Sequence, residues 1–408
     1  MTKHSFIFIF SITVALFFWR SHAGKPMAVY LREMEKINVD ATAEGFENTS
    51  ALTENIVSGA LNDYDSFNIL TCIRQLGNRW FLVDCYHDQI LYSDDPKTPV
   101  QEWRVMTRAI TRGHTIDFDG EFYLADDTTN NRVLVFRETN EQFELTGQFS
   151  EIGILPHFVV YDERTERFYV LSSMTGELYV FANTRVLSNI RQNSSKNNMN
   201  SESFENIYAS AGAEAGTQIS DKEAHKIVLE RILYIEELNG SYVRSFTIDG
   251  ENVYFVSGNG NVILARLPEF SENGTLENLP DSTELEILER YPVSDDIAGM
   301  VQLEKIGDYF YITVSTNADF DQDYATILRT KDLNSLKDYH KNTSVLAVNE
   351  GESPVCEDIY SLFIGGGTPY YIGSADSHFY LTEHRLAGHA LWQFDVQNDE
   401  ITDIEAIQ

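Results

Sequence analysis

The stretch FYLADDTTNNRVLVF, residues 122–136, contains two runs of alternating apolar side chains separated by a polar segment. Alternation with a period of two predicts β-strands that bury one face, and Asp, Thr and Asn favour tight turns. The stretch therefore predicts a strand, a polar turn and a second, antiparallel strand.

The same pattern recurs along the chain. The six copies begin at Trp80, Phe122, Phe168, Val253, Phe310 and Phe379. A further short strand is predicted before each copy, and a fourth follows several of them, in EQFELTGQF, IVLERILYI, LEILERYPV and TSVLAV. Four antiparallel strands repeated six times are typical of a β-propeller. We therefore predict an all-β fold, a six-bladed β-propeller of four-stranded antiparallel blades, with a short, partly helical N-terminal extension.

The second copy resembles a known repeat, the NHL repeat. The residues that carry the resemblance are Leu124, Ala125, Asp126, Asn131, Arg132, Val133, Val135 and Phe136. The resemblance implies a six-bladed propeller of the NHL and gluconolactonase-like group over most of residues 66–408, with structural roles for the Asp, Asn and Arg of the motif. Propellers of this group include binding proteins and enzymes alike, so the resemblance implies no single function.

Residues 1–23 have the layout of a secretory signal peptide. Lys3 precedes an apolar run from Phe6 to Trp19, and Ser21 and Ala23 are the small residues of a cleavage site. A spanning helix needs roughly 20 apolar residues, so we expect export and no integral membrane span after cleavage. The alternative is an uncleaved N-terminal anchor.

Two further segments lack the repeat. Residues 24–65 have helix-like apolar spacing in places and are interpreted as the N-terminal extension. Residues 187–226 are rich in Ser, Asn, Ala and Glu, with few large apolar side chains, so they are expected to be a mobile insertion in blade three that the fold does not need.

The composition restricts the class of partner. The net charge of −33 opposes binding to nucleic acid and to anionic membranes. The three cysteines, Cys72, Cys85 and Cys356, are too few for a disulfide scaffold. The sequence leaves open whether Cys72 and Cys85 form a disulfide.

The polar turns predict a site at one mouth of the central channel, because the start of each first strand and the end of each second strand lie on the same face of a propeller. Four histidines fall at these positions: His87, His114, His157 and His384. Their imidazoles either hydrogen-bond the channel lining and a polar ligand, or bind a divalent metal ion.

Further residues fall at the same mouth. They are Arg112, Arg244, Arg385, Asp126, Glu383 and Tyr370. Arginine suits the carboxylate of an acidic sugar, the acidic residues are partners for the arginines, and tyrosine stacks on sugar rings. We therefore expect an exported propeller that binds a carbohydrate or another polar small molecule. The alternatives are a metal-dependent lyase or hydrolase at the same mouth and a protein-interaction module, so the sequence leaves open whether the protein is an enzyme.

Overall fold

A computed structural model describes residues 58–187, 225–258, 260–268, 282–341, 355–363, 367–384 and 389–408. The predicted signal peptide, residues 24–57 of the predicted extension, residues 188–224 of the predicted insertion, and Arg385 lie outside these residues. No helix in the described part of the chain is long and apolar enough to cross a membrane.

The described strands form six sheets, each with four antiparallel strands as its main part. Blade one contains β1 (Leu70–Leu76), β2 (Arg79–Asp84), β3 (Gln89–Ser93) and β4 (Arg104–Thr107). Blade two contains β5 (Ile116–Phe118), β6 (Phe122–Asp127), β7 (Arg132–Thr139) and β8 (Gln142–Ser150). Blade three contains β9 (Pro156–Asp162), β10 (Arg167–Ser172), β11 (Glu177–Asn183) and β12 (Ile227–Tyr234).

The second half of the ring repeats this arrangement. Blade four contains β13 (Val243–Asp249), β14 (Asn252–Ser257), β15 (Asn261–Arg266) and β17 (Glu286–Pro292). Blade five contains β18 (Gly299–Ile306), β19 (Tyr309–Thr316), β20 (Thr326–Thr330) and β21 (Cys356–Asp358). Blade six contains β22 (Thr368–Ala375), β23 (His378–His384), β24 (Leu391–Gln397) and β25 (Glu400–Ala406). All six predicted strand–turn–strand copies are the second and third strands of a blade.

The first strands of the blades form a closed ring. Each of β1, β5, β9, β13, β18 and β22 contacts the next in this order, and β22 contacts β1. At the junction of blades six and one, the rings of Trp80 and Tyr380 pack edge to face with centroids 4.6 Å apart. The predicted six-bladed β-propeller is confirmed.

The core lies between neighbouring blades rather than on one side of each sheet. The six residues of β10, for example, are all buried, because blades two and four cover the two faces of blade three. Phe136 and Phe181 are fully buried side chains of this kind. Full burial of one such aromatic residue contributes about 1.5–3 kcal/mol to folding, so the ring of blades holds itself together through its inter-blade faces.

The NHL-like segment of blade two has a structural role. The Arg132 guanidinium donates from Nε to Asp127 Oδ2 at 2.5 Å and from Nη2 to the Ala109 carbonyl oxygen at 3.0 Å. Asn131 has a left-handed backbone (φ 50°), which asparagine tolerates better than most residues, and its Oδ1 accepts from the Leu155 amide at 2.9 Å. These bonds hold the turn between β6 and β7 against the neighbouring blade.

The outer strands of blades five and three differ from those expected from the sequence. The fourth strand of blade five is β21, whose Asp358 pairs with Leu328 of β20; residues 343–348, predicted for this place, lie outside the described part. The three residues of β21, CED, show no apolar alternation, so the sequence pattern does not reveal this strand. Blade three also gains a fifth strand, β16 (Ser282–Glu284), which pairs in parallel with β12.

The cysteines form no disulfide. All three are free, and Cys72 and Cys85 are buried in blade one. Burial raises the pKa of Cys72 to about 11 and that of Cys356 to about 12. The thiols therefore act as small apolar groups in the blades.

Candidate functional site

The channel has two unlike ends. We call the face where the first strands begin the histidine face, since His114 and His157 lie there at the starts of blades two and three. We call the face where the first strands end the cavity face. The binding site expected from the sequence lies on the histidine face.

His114 and His157 stack across the junction of blades two and three. Their ring centroids are 3.6 Å apart and their planes are inclined by 34°. The hydroxyl of Tyr370 lies 3.2 Å from His157 Nε2, and the Tyr370 ring lies 5.4 Å from that of His384. Burial, with smaller contributions from the charges of His114 and Arg244, lowers the pKa of His157 well below its usual value. Three of the four predicted histidines are thus gathered around Tyr370.

The fourth histidine, His87, has other partners. Its ring stacks on that of Tyr64 with centroids 3.5 Å apart, and its Nδ1 lies 2.7 Å from Asp84 Oδ2. Tyr64 belongs to the predicted N-terminal extension, residues 24–65. Nothing in the sequence indicated that this extension contacts a residue of the channel mouth.

The histidines are not arranged as metal ligands. An imidazole binds a metal through a lone pair in the plane of its ring, whereas His114 and His157 meet face to face. In the described ranges, no group of three or more His, Cys, Asp or Glu side chains is placed to hold a metal ion. The geometry therefore gives no support to the alternative of a metal-dependent enzyme.

The two described arginines of this face lie over tyrosine rings. The guanidinium carbon of Arg112 is 3.9 Å from the ring centroid of Tyr86, and that of Arg244 is 5.2 Å from the ring centroid of Tyr242. Both contacts are cation–π geometries. They fix the direction of the two arginines along the surface of this mouth.

The two predicted acidic residues are inside the blades. Asp126 Oδ1 accepts from the Thr115 amide at 2.7 Å, and its Oδ2 accepts from the His114 amide at 2.9 Å. Glu383 Oε2 accepts from Trp392 Nε1 at 2.8 Å. Both carboxyl groups are fully buried. They hold the strand ends in place, and burial raises the pKa of Glu383.

Beneath the histidine face, the channel narrows to a chamber of about 10 Å³. Its lining includes His114, His157, Arg244, Gln302 and Tyr370. This volume has room for about one water molecule. His114, His157 and Tyr370 thus line a small chamber rather than a large pocket.

The opposite end of the channel opens into a cavity of about 710 Å³. Residues from the C-terminal halves of all six first strands contribute to its wall. Representative lining residues, one from each blade in chain order, are Arg74, Asp117, Tyr161, Thr247, Glu304 and Tyr371. This cavity lies at the mouth opposite the one expected from the sequence.

Arg74 organises the inner wall of the cavity. Its Nε donates to the Tyr371 hydroxyl at 2.9 Å, and its Nη1 forms an ion pair with Asp117. Asp117 Oδ2 also accepts from the Tyr161 amide at 2.7 Å. Arg74 thus links blade one to blades six and two, and its charge is balanced by Asp117.

Glu304 lies on the wall beside this network. Within the part of the chain that the structure describes, its hydrogen-bond donor is Gln302 Nε2, at 3.4 Å. The Gln302 amide is itself engaged with blade six, since Oε1 accepts from the Ile372 amide at 2.6 Å and Nε2 donates to its carbonyl oxygen at 3.0 Å. Burial raises the pKa of Glu304 to about 7, and the nearby charge of Arg74 limits the rise. Glu304 is therefore a carboxyl group that changes charge near neutral pH.

A sequence signal for these residues exists. Arg74 interrupts the apolar strand LTCIRQL, and Glu304 interrupts GMVQLEKI. A charged residue inside the innermost strand of a propeller has only the channel or a neighbouring blade to face. The polar turns, from which the site was expected, lie on the other face.

The comparisons with known proteins assign the chain to no family. No family model matches the chain, and no curated protein matches it. Among solved structures, a 6-phosphogluconolactonase-like protein of Bacteroides uniformis is 11% identical, with a TM-score of 0.44 over 81% of this chain and 80% of that one. A streptogramin B lyase is 9% identical, with a TM-score of 0.45 over 85% of each chain. The β-propeller domain of Myceliophteria thermophila Cps50 (Swd1) is 8% identical, with a TM-score of 0.42 over 85% of this chain and 89% of that one.

Proposed function

We propose that the protein binds a polar small molecule in the cavity at the cavity face of its channel. The observation that carries the proposal is the cavity itself, whose volume of about 710 Å³ falls within the range of about 300–1,000 Å³ typical of ligand pockets. It lies at the centre of the ring, where six blades contribute side chains to one ligand, and it opens to solvent.

The lining combines apolar walls with a few polar groups. Phe118 and Phe158 supply aromatic surface, while Gln75, Thr247 and Ser374 supply hydrogen-bonding groups. Such a mixture suits a molecule with both apolar and hydroxyl or amino groups, and a carbohydrate is one such class. We therefore propose this cavity as the binding site, at the end of the channel opposite the mouth expected from the sequence.

A cavity-filling variant tests the location. Ser374 is exposed on the cavity wall, so Ser374→Trp is expected to occupy part of the cavity without disturbing the core. Glu144→Trp, at an exposed position on the outer strand β8, is the matched control. We expect saturation-transfer NMR with a panel of sugars, polyols and small amines to detect binding to the wild type and to Glu144→Trp, and weaker binding to Ser374→Trp.

A different result would reject the location. Equal binding by the wild type and Ser374→Trp would show that the ligand does not enter this cavity, and binding lost in His114→Ala but kept in Ser374→Trp would return the site to the histidine face.

We also propose that binding takes place outside the cytoplasm. The support is the N-terminal segment with its basic start, apolar run and small residues before Gly24. N-terminal sequencing of the protein recovered from the medium of expressing cells is expected to begin at Gly24. Retention in the membrane fraction with Met1 intact would favour the uncleaved anchor.

A further inference from the structure

We propose that the ligand of the cavity is an organic cation and that Glu304 is its counter-ion. This inference rests on the proposed function, which it makes more specific. It comes from the charges and the aromatic surface of the cavity.

The lining is strongly acidic. Its described residues contain one arginine, five carboxyl groups and neither lysine nor histidine. The carboxyl groups belong to Asp117, Asp119, Glu163, Glu166 and Glu304. Because the charge of Arg74 is taken up by Asp117, a bound ligand experiences a net negative field.

The carboxyl groups differ in how far the protein already uses them. Asp117 is paired with Arg74, and Asp119 accepts from the Phe122 amide at 2.7 Å and from Asn183 Nδ2 at 2.9 Å. Glu163 and Glu166 are exposed at the rim. Glu304 has one long hydrogen bond among the described residues, from Gln302, so it is the inner carboxyl group that is left to pair with a ligand.

Aromatic rings complete a cation site. Phe118 and Tyr161 are half-buried and line the cavity with Tyr371. The Tyr371 ring already has a cation beside it, the guanidinium carbon of Arg74 at 5.8 Å from the ring centroid. Ring faces attract ammonium groups, most strongly where water is partly excluded. Burial, together with the charges of Asp119 and Glu166, raises the pKa of Tyr161 to about 12, in keeping with a negative field at this wall.

The same features disfavour an anion. A phosphate or a sugar acid entering the cavity meets carboxyl groups on several sides, while Arg74, the one cationic side chain among the described lining residues, is already bound to Asp117 and Tyr371. The acidic sugar suggested by the arginines of the histidine face is therefore a poor candidate for this cavity.

A matched pair of probes separates charge from shape. Choline carries a permanent positive charge, and 3,3-dimethylbutan-1-ol is its neutral isostere. We expect isothermal titration calorimetry on the full chain to give at least about tenfold tighter binding of choline, as expected for a partly desolvated cation on carboxylate and aromatic groups. In Glu304→Gln, the preference for choline is expected to become clearly smaller, whereas Glu144→Gln, at an exposed position on β8, is expected to keep the full preference.

The pH profile gives a second readout. Glu304 must be ionised to act as counter-ion, so the affinity for choline is expected to rise from about pH 6 to about pH 8 in the wild type and to change much less in Glu304→Gln. The other groups beside Glu304, namely Arg74 and its partners Asp117 and Tyr371, are present in both proteins and serve as the background.

The outcomes distinguish the two proposals. If 3,3-dimethylbutan-1-ol or a neutral sugar binds as tightly as choline, the cation inference is wrong and the ligand-binding function stands. If choline binds equally to the wild type and to Glu304→Gln, Glu304 is not the counter-ion. If neither probe binds, nor any member of the sugar, polyol and amine panel, the ligand-binding function is wrong as well.

Discussion

Arg74 and Tyr371 join the first blade to the last: the guanidinium Nε donates to the phenol oxygen at 2.9 Å. Other junctions of the ring are bridged in a similar way. Thr115 of blade two accepts the Val159 amide of blade three at 2.6 Å, and Thr313 of blade five donates to the Tyr370 carbonyl oxygen of blade six at 2.8 Å. Side chains along the channel thus link neighbouring blades by hydrogen bonds. Of the three side chains that form these links, Arg74 is the charged one.

Replacing Arg74 is expected to weaken the ring. Arg74→Met keeps the length of the side chain but leaves Asp117 buried without its cation, which typically costs about 3–5 kcal/mol. We expect the midpoint of urea unfolding to fall clearly. Arg266→Met is the control, because Arg266 and Glu286 form an exposed pair worth about 0–1 kcal/mol. Similar midpoints for the two variants would mean that Arg74 does not fasten the ring.

Glu304→Gln is expected to change how stability depends on pH. The folded protein raises the pKa of Glu304 to about 7, above the value of roughly 4.3 in an unfolded chain. Between these values, the folded state holds a proton that the unfolded state has released, so stability is lost as the pH rises. The variant is therefore expected to gain stability relative to the wild type from about pH 5 to about pH 8. A constant difference, measured by urea unfolding at each pH, would contradict this.

His157 is expected to have the opposite effect. Its pKa is lowered in the folded protein, so the unfolded chain takes up a proton below roughly pH 6.5 while the folded chain does not. Stability is then lost as the pH falls, by up to about 1.4 kcal/mol for each pH unit. We expect the wild type to lose more stability than His157→Gln between about pH 7 and about pH 5. His340→Gln, at a largely exposed histidine, is the control.

The three thiols are expected to resist alkylation in the folded state. Burial raises the pKa of Cys72, Cys85 and Cys356, so little reactive thiolate is present at neutral pH. Mass spectrometry after iodoacetamide treatment at about pH 8 should show no modification of Cys72 or Cys85 without denaturant and three modified cysteines with it. Fewer than three in denaturant without reductant would reveal a disulfide.

The sequence was sufficient for the architecture because strand alternation is a local signal. The copies that begin at Phe168 and at the other starting residues all form the second and third strands of a blade, although strands such as β10 are buried on both faces rather than on one. The signal was insufficient where a strand is short: β21, with only Cys356–Asp358, takes its place through pairing with β20, which the sequence does not display.

The sequence was less informative about the site. The gathering of His114, His157 and Tyr370 followed from the rule that strand starts share a face. The small volume of the chamber that they line could not be predicted from the sequence, because it depends on how the rings stack in three dimensions. Arg74 and Glu304 come from strands about 230 residues apart in the chain, and only the closed ring places them on one wall.

The contact between Trp80 and Tyr380 also has a consequence for biosynthesis. A ribosome adds about 5–20 residues per second, so the two rings, separated by 300 positions, become available roughly 15–60 seconds apart. During that interval, the first blade presents an apolar side to the surroundings with no sixth blade to cover it. Exposed apolar surface and unpaired strand edges promote aggregation of nascent chains. Blade one is therefore the part of the propeller for which a chaperone has the longest opportunity to act.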